Sequence, residues 1–384
     1  MDFRATPEQL AFRGEIKEWL ATAMDGIPPG ATIEDQGDRE TIGREWAQRI
    51  HDGGWAGLTW PEEYGGRGLS MVHEAIFQEE LAIVDAPYPV NSMGITLTGN
   101  TILAHGTHDQ KDRYLKRILA ADDIWCQGFS EPGAGSDLAG LSTKAVQVDG
   151  GWNVTGQKVW TSNGHLANKC MLLARTDPDA PKHRGITYFL ADMDSIDVRP
   201  LIMVNRDHEF SEMFIDGQHV ADDDVLGAVG QGWQVANTTL AFERTTVALN
   251  LQVWSLQMFE RLVELARQLG HGDDPVVAEK LADFYELTQA IRISSVQTMS
   301  KVAAGGKPGP EGSGVKLVWA GVMQAMSRYA LELGGPEALV IDQPDPPYWV
   351  QRYLRTRGHS IEGGSDEVQK SIIAEHVLGL PRSR

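Results

Sequence analysis

The sequence predicts an α+β protein in which helical regions flank a β-rich region. Apolar residues recur three or four positions apart in residues 1–124 and again in residues 230–384, a spacing that indicates amphipathic helices. Between them, residues 125–229 hold short apolar runs separated by Gly, Asp, Asn and Pro clusters, which is typical of antiparallel strands joined by turns. The 384 residues suffice for two or three domains with a large core.

The N-terminal region opens with a helix start signal. Thr6 is a candidate N-cap, Pro7 occupies the first helical position and Gln9 can complete a capping box. Apolar positions then follow at helical spacing. Further helices are predicted near residues 40–53, 71–84 and 109–120.

In the central region the predicted strands are short. They lie near residues 146–148, 152–155, 171–174, 187–190 and 213–215. In the C-terminal region, apolar residues recur through 277–291 and 315–333, which predicts two long helices. Residues 342–347 predict a loop because Pro and Asp dominate them, and a last helix is expected from Asp366 toward Leu378.

Composition excludes several classes of protein. The net charge of 34 − 53 = −19 argues against nucleic acid or an anionic membrane as a partner, although backbone N–H groups could still hold an anionic ligand. No apolar run reaches the length of a membrane span, and the first residues show no secretory signal. With only Cys126 and Cys170, no disulfide framework is predicted and we expect a reducing cytoplasm.

Residues 128–140 form a segment rich in Gly and Pro that also carries small hydroxyl side chains. Gly133 and Gly135 let the backbone approach a ligand closely, and Ser130 and Ser136 can donate hydrogen bonds. Taken alone, such a segment is most often a plain turn after a strand. Its meaning therefore depends on what accompanies it.

Three further segments accompany it, at residues 156–164, 227–244 and 358–369. Trp160 alone would be an ordinary core residue, and Glu243 beside an arginine would be part of a solvated helix face. Taken in order, the four segments resemble the signatures of the acyl-CoA dehydrogenase flavoproteins. The helical, β, helical order is also that family's domain order, so the resemblance covers nearly the whole chain.

The resemblance implies an N-terminal helical domain (1–124), a small central β-barrel or sandwich (125–229) and a C-terminal four-helix bundle (230–384). It also implies FAD as cofactor, with Ser130 and Ser162 as hydrogen-bond donors to the flavin and Trp160 packed beside it. The cofactor-binding residues that it implies are Phe129, Ser130, Gly135, Ser136, Trp160, Ser162, Ser365 and Glu367. The acyl-CoA substrate would contact Ser136, Arg244 and Gly364.

The catalytic base is where the chain departs from the medium- and short-chain members of that family. Those members carry Tyr-Glu-Gly in the C-terminal loop, with the Glu as base, whereas this chain places Gly363 at that position and Glu362 before it. The isovaleryl- and long-chain-type members keep their base at the helix position of Glu243. The resemblance therefore implies Glu243 as the first candidate and Glu362 as the second. Gly363 keeps a backbone N–H that can hold the thioester carbonyl.

Two elements that contact FAD across a subunit boundary in the family are altered, since residues 266–274 lack an aromatic residue and Leu331 replaces a glutamine. The resemblance therefore implies a homo- or heterotetramer, similar to bacterial two-gene members acting on branched or bulky acyl-CoAs such as steroid side-chain thioesters. An electron-transfer flavoprotein would accept the electrons.

Other functions stay open at this point. The chain could be a flavin oxidase or monooxygenase on the same fold, or a non-catalytic or FAD-sharing subunit of a heteromeric enzyme. A helical protein that binds a nucleotide for other reasons is a further alternative. The histidines show no metal-ligand spacing supported by nearby acids, so no metal site is predicted.

Overall fold

A computed structural model describes residues 5–30, 36–303, 309–310, 312–341 and 347–381; within these ranges the side chains of residues 36, 244–249, 299 and 302–303 are not described. The fold has the three predicted regions, in the predicted order. Most of the predicted loop at 342–347 lies outside the described residues. The predicted domain limits at 124 and 229 stay predictions.

In its described residues, the N-terminal region contains five α-helices. They are α1 (Pro7–Ala23), α2 (Gln36–Asp52), α3 (Met71–Ile83), α4 (Gly99–His105) and α5 (His108–Leu119), with a short π-helix at Gly94–Thr98 before α4. The predicted capping box at the start of α1 is confirmed, because Gln9 N–H donates to Thr6 Oγ1 at 3.2 Å and Thr6 N–H to Gln9 Oε1 at 2.9 Å. Aromatic rings fill the core, where Trp55 stacks on Phe77 at 5.5 Å.

The central region is one seven-stranded sheet. Its strands are β1 (Trp125–Gly128), β2 (Lys144–Val148), β3 (Gly151–Ser162), β4 (Lys169–Arg175), β5 (Ile186–Asp192), β6 (Asp197–Leu201) and β7 (Phe210–Ala221). The strand order is β1-β4-β2-β3-β7-β6, and β5 pairs with β4. The sheet is mixed rather than purely antiparallel as predicted, because β4 pairs parallel with both β1 and β2. The long β3 and β7 pair antiparallel, and β3 carries residues 156–162 of the 156–164 segment.

The described part of the C-terminal region is built on three long helices. These are α6 (Gly232–Gln268), α7 (Pro275–Ala303) and α8 (Gly312–Gly334), followed by the shorter α9 (Tyr348–Arg355) and α10 (Asp366–Ile372). The long helices pack through a common apolar core that includes Leu262, Phe284 and Trp319. Both predicted long helices are confirmed, as is the last helix, which begins at Asp366 and continues as a π-helix through Val377. None of the helices in the described ranges combines the length and apolarity needed to cross a membrane.

Candidate functional site

Trp160 lies at one of two places where β3 departs from regular pairing. The pairing of β3 with β7 is irregular between Lys158 and Thr161. Trp160 itself has a φ of +61°, a left-handed conformation that is strained for a bulky residue. Its side chain is 61% exposed and meets Phe210 edge-on at a centroid distance of 5.8 Å. A broad apolar ring held out of the core on strained backbone is suited to stacking against a planar ligand.

A buried ion pair lies behind this surface and joins the 128–140 segment to β3. Lys158 Nζ donates to Glu131 Oε1 at 2.8 Å and to the Phe129 carbonyl at 3.1 Å. The other carboxylate oxygen accepts from the N–H and the hydroxyl of Ser142, both at 2.7 Å. Thr143 N–H donates to Oε1 at 2.9 Å. The carboxylate of Glu131 is therefore saturated by donors and fixes the backbone on either side of it.

Burial and the charge of the partner act in opposite directions on the pKa values of Glu131 and Lys158. Burial alone would raise the pKa of Glu131, but the charge of Lys158 and the hydrogen bonds around the carboxylate outweigh it and lower the pKa to about 2. Burial lowers the pKa of Lys158, and the carboxylate opposes that shift. We take the pair as ionised, because several donors converge on the carboxylate and would be left unmatched if it were protonated.

Three serine hydroxyls lie in the 128–140 segment and at the end of β3. Ser130 lies at the start of the 128–140 turn, where Val159 N–H donates to its carbonyl at 2.9 Å. Ser162 ends β3, two residues after Trp160. Ser130 and Ser162 are half-buried and Ser136 is exposed. Among the described residues, none of these three hydroxyls has a hydrogen-bond partner, so all three are available to a ligand.

The first turns of α6 contact the buried residues that lie beneath the 128–140 segment. Thr239 Oγ1 lies 3.2 Å from the Tyr188 hydroxyl, and the Tyr188 ring meets Phe129 edge-on at 5.8 Å. The Phe129 side chain is buried, so only its backbone can reach a ligand. Glu243 lies one helical turn after Thr239 and is half-buried. The side chain of Arg244, predicted to contact the substrate, lies outside the described residues.

The 358–369 loop turns sharply at two successive glycines. Gly363 has a φ of +61° and Gly364 a φ of +92°, both in the left-handed region. Ser365 caps α10 as predicted, accepting from Val368 N–H at 3.4 Å. Glu367 follows on the exposed side of α10. The loop is therefore a backbone turn that leads directly into the last helix.

Glu362 is held in a charged network on the side of this loop. Its carboxylate pairs with Arg355 at 2.9 Å and forms a short contact with His359 Nδ1. Arg355 also donates to Glu209 through Nε at 2.7 Å and Nη2 at 3.0 Å. Burial would raise the pKa of Glu362, but His359 and Arg355 lower it to about 2. A carboxylate with so low a pKa holds a proton weakly and is a poor general base near neutral pH.

Phe210 joins the network to the tryptophan. One edge of its ring meets Trp160, and the Arg355 guanidinium lies 5.6 Å from its centroid. The 156–164 segment and the 358–369 loop, which are far apart in the sequence, are therefore neighbours in the fold. The structure thus brings together the predicted flavin-side residues and the predicted carbonyl-binding loop.

Several polar residues near the site are not predicted as site residues from the sequence. Lys158 could have been found as the single charged residue of β3, whereas nothing in the spacing marks Lys316 or Arg355. The structure also gathers Glu40, His165 and His208, whose ligand atoms lie within 4.8 Å of one another. Such a group can bind a divalent cation, and its members are too far apart in sequence to form a recognisable motif.

The chain matches three family descriptions in succession. They are the acyl-CoA dehydrogenase N-terminal domain over residues 6–122, the middle domain over 126–217 and the C-terminal domain over 230–378. It is 41% identical to acyl-CoA dehydrogenase IpdE1 of Mycobacterium tuberculosis over 97% of each chain.

Solved structures of similar fold are also found. One is the Tcur3481-Tcur3483 steroid ACAD, with a TM-score of 0.85, 26% identity and full coverage of both chains. Another is the ChsE4-ChsE5 complex from Mycobacterium tuberculosis, with a TM-score of 0.85, 29% identity and full coverage of both chains.

Proposed function

The chain belongs to the acyl-CoA dehydrogenase family, and from this premise we propose that it oxidises the α,β bond of an acyl-CoA thioester to the trans-2-enoyl-CoA with bound FAD. One observation carries the proposal: the exposed, left-handed Trp160 lies among available hydroxyls and is joined through Phe210 to the Gly363 loop. That arrangement offers a ring to stack on, donors for heteroatoms and a neighbouring backbone N–H.

The residues present fit a flavin. Ser130 and Ser162 would donate to polar edges of the ring system, Trp160 would cover one region of it, and Ser136 and Gly135 would lie near bound phosphates or substrate. When bound, FAD supplies the hydride acceptor that no amino-acid side chain provides. The buried Glu131–Lys158 pair and the Val159 N–H bond to the Ser130 carbonyl fix the backbone at the start of the 128–140 segment.

The α-proton must be taken by a carboxylate whose pKa is compatible with accepting it. Glu362 pairs with Arg355 and His359, and its pKa of about 2 disfavours that role. Glu243 is the other candidate, half-buried on α6 one turn beyond the Thr239–Tyr188 contact. We therefore assign the base to Glu243. Substrate desolvation would raise the pKa of such a carboxylate and strengthen it as a base.

The thioester carbonyl must be polarised at the same time, because a carboxylate alone is too weak to remove an unactivated α-proton. The Gly363 N–H is suited to this role, since it lies in an exposed turn and has no acceptor within the described part of the chain. Gly364 and Arg244 would complete the contacts with the acyl-CoA.

We propose that the physiological electron acceptor is an electron-transfer flavoprotein and that the working enzyme is a tetramer that includes a second, related subunit. The support for a second subunit is that two solved structures of similar fold are described as two-component assemblies. We also propose a branched or steroid side-chain thioester as substrate. The support is that the Tcur3481-Tcur3483 structure, which has a similar fold, is a steroid ACAD. Native mass spectrometry of the co-expressed chains would test the assembly.

The test of the function is anaerobic mixing of the flavin-loaded protein with acyl-CoA while flavin absorbance near 450 nm is followed. The expected result is bleaching in the wild type, loss of bleaching by about 10³-fold or more in Glu243→Gln, and retention within tenfold in Glu362→Gln. Bleaching of Glu243→Gln at the wild-type rate would remove Glu243 from the role of base. Rapid reoxidation by O₂ with oxygenated product would instead indicate an oxidase or monooxygenase.

A further inference from the structure

Two buried side chains end on the backbone of the Gly363–Gly364 corner. Lys316, on α8 and 6% exposed, donates from Nζ to the Gly364 carbonyl at 2.9 Å. Gln369, on α10 and 5% exposed, donates from Nε2 to the Gly363 carbonyl at 2.8 Å and to the Gly364 carbonyl at 3.3 Å. Two consecutive carbonyls are therefore held by donors from two different helices.

Placing a lysine there is unfavourable unless the position serves a purpose. Burial lowers the pKa of Lys316, and Asp366, with its carboxylate 3.6 Å from Nζ, opposes that shift. The Lys316 ammonium therefore donates its short hydrogen bond to a main-chain carbonyl, while its carboxylate partner Asp366 lies farther away. The oxygen that it holds belongs to the more constrained of the two glycines, because a Cβ on Gly364 would lie 2.7 Å from Gln369 Nε2.

The corner needs such restraint because two successive glycines are the most flexible dipeptide that a chain can contain. Each has access to both signs of φ, and only one combination gives the observed turn. Fixing both carbonyls selects that combination before any ligand arrives. Preorganised donors are more effective in catalysis than donors that must be ordered during the reaction.

The peptide that carries the Gly363 N–H is restrained on its other side as well. Its carbonyl belongs to Glu362, whose N–H donates to the Gly358 carbonyl at 3.0 Å. The Glu362 side chain is held by Arg355 and His359. The Gly363 N–H lies between these two sets of contacts and, over the described residues, has no acceptor of its own.

We propose that Lys316 and Gln369 are positioning residues that hold the Gly363–Gly364 corner so that the Gly363 N–H is presented to the thioester carbonyl. The inference rests on the proposed function, because it assigns a purpose to a turn that the proposed reaction uses. On this account the loop is a preorganised carbonyl-binding turn.

The test is the infrared carbonyl stretch of an enoyl-CoA labelled with ¹³C at the thioester carbon and bound to the flavin-loaded protein. The variants are Lys316→Met and Gln369→Glu, which keep side-chain length but remove the donor. Lys370→Met on the exposed face of α10 is the control. Hydrogen exchange of residues 358–369 in each variant reports on the turn without any ligand.

We expect the wild type and Lys370→Met to lower the carbonyl frequency of the bound ligand relative to the ligand in water. Lys316→Met and Gln369→Glu should lose at least half of that lowering, and residues 358–369 should exchange their amide hydrogens faster. In both variants the flavin should bleach about ten- to a hundredfold more slowly, while the affinity for the ligand stays within about threefold of the wild type. If Lys316→Met fails to fold, Gln369→Glu gives the same test.

The possible failures separate the two proposals. If the wild type itself leaves the carbonyl frequency unchanged, the proposed role of Gly363 is wrong and the inference falls with it. If the wild type lowers the frequency and both variants match it, with unchanged hydrogen exchange, Lys316 and Gln369 do not position the turn, while the proposed reaction still holds. A general loss of ligand affinity with an unchanged frequency would also overturn the inference, because it indicates a purely structural role.

Discussion

Lys158→Met removes one member of the buried Glu131–Lys158 pair and leaves its partner without a counter-ion. Lys158 is fully buried and Glu131 is 5% exposed, so water cannot compensate the remaining carboxylate. Breaking such a pair costs about 3–5 kcal/mol. The pKa of Glu131, which Lys158 and the hydrogen bonds around the carboxylate lower to about 2 against the effect of burial, has the direction expected of such a pair.

The assay is urea unfolding at pH 7, followed by circular dichroism, with Lys169→Met as the matched control. Lys169 begins β4 of the same sheet and pairs with the half-exposed Asp192, so its loss should cost about 1 kcal/mol or less. The double variant Glu131→Gln/Lys158→Met should recover much of the lost stability, because no charge is then left buried. If Lys158→Met destabilises the protein no more than Lys169→Met does, the pair does not hold this part of the site together.

The same pair predicts a pH dependence with a definite sign. The folded-state pKa of Glu131 lies below its unfolded value, so the stabilisation is fully present above about pH 4.5 and is lost as pH falls toward 2. Wild type should therefore lose more stability than Glu131→Gln/Lys158→Met between pH 5 and 3. An equal loss in both proteins would contradict the assigned ionisation.

Three further predictions concern single positions. Trp160→Gly should leave the flavin-free protein as stable or about 1 kcal/mol more stable, since it relieves a left-handed φ at an exposed side chain, while flavin titration shows at least about tenfold weaker binding. Glu362→Gln should leave the shape of the pH profile for flavin bleaching above pH 5 unchanged, because the carboxylate stays ionised there; loss of an ionisation near neutrality would refute this. Gly99→Ala should lower stability by about 2–3 kcal/mol in thermal unfolding, because its Cβ would lie 2.1 Å from the buried Trp60 ring; an unchanged Tm would contradict it.

The helical ends and the β-rich centre could be predicted from the sequence because each depends on local periodicity. The capping box of Thr6 and Gln9, and the cap at Ser365, likewise depend on side chains within a few residues of the backbone they bind. The parallel pairing of β4 with β1 and β2 could not be predicted, because strand order depends on long-range contacts that leave no local pattern.

In the candidate site, too, local features could be predicted from the sequence and features that depend on long-range contacts could not. Trp160, Ser130 and Ser162 could be named from motifs, but the left-handed φ and the exposure of Trp160 come from an irregularity in the pairing of two strands. The low pKa of Glu362 depends on His359 and Arg355, and Arg355 also binds Glu209, which directly precedes β7. A sequence gives the type of a residue, whereas its pKa depends on charges that only folding brings near.

The assignment of the base to Glu243 is the central claim, and exchange of the substrate α-proton tests it most directly. A 3-thia-acyl-CoA, which binds but is not dehydrogenated, is incubated in D₂O with the flavin-loaded protein, and loss of the α-proton NMR signal is followed. We predict catalysed exchange in the wild type and in Glu362→Gln, and a fall of at least about 10³-fold in Glu243→Gln with ligand affinity retained. Exchange at the wild-type rate in Glu243→Gln, together with its loss in Glu362→Gln, would contradict the assignment.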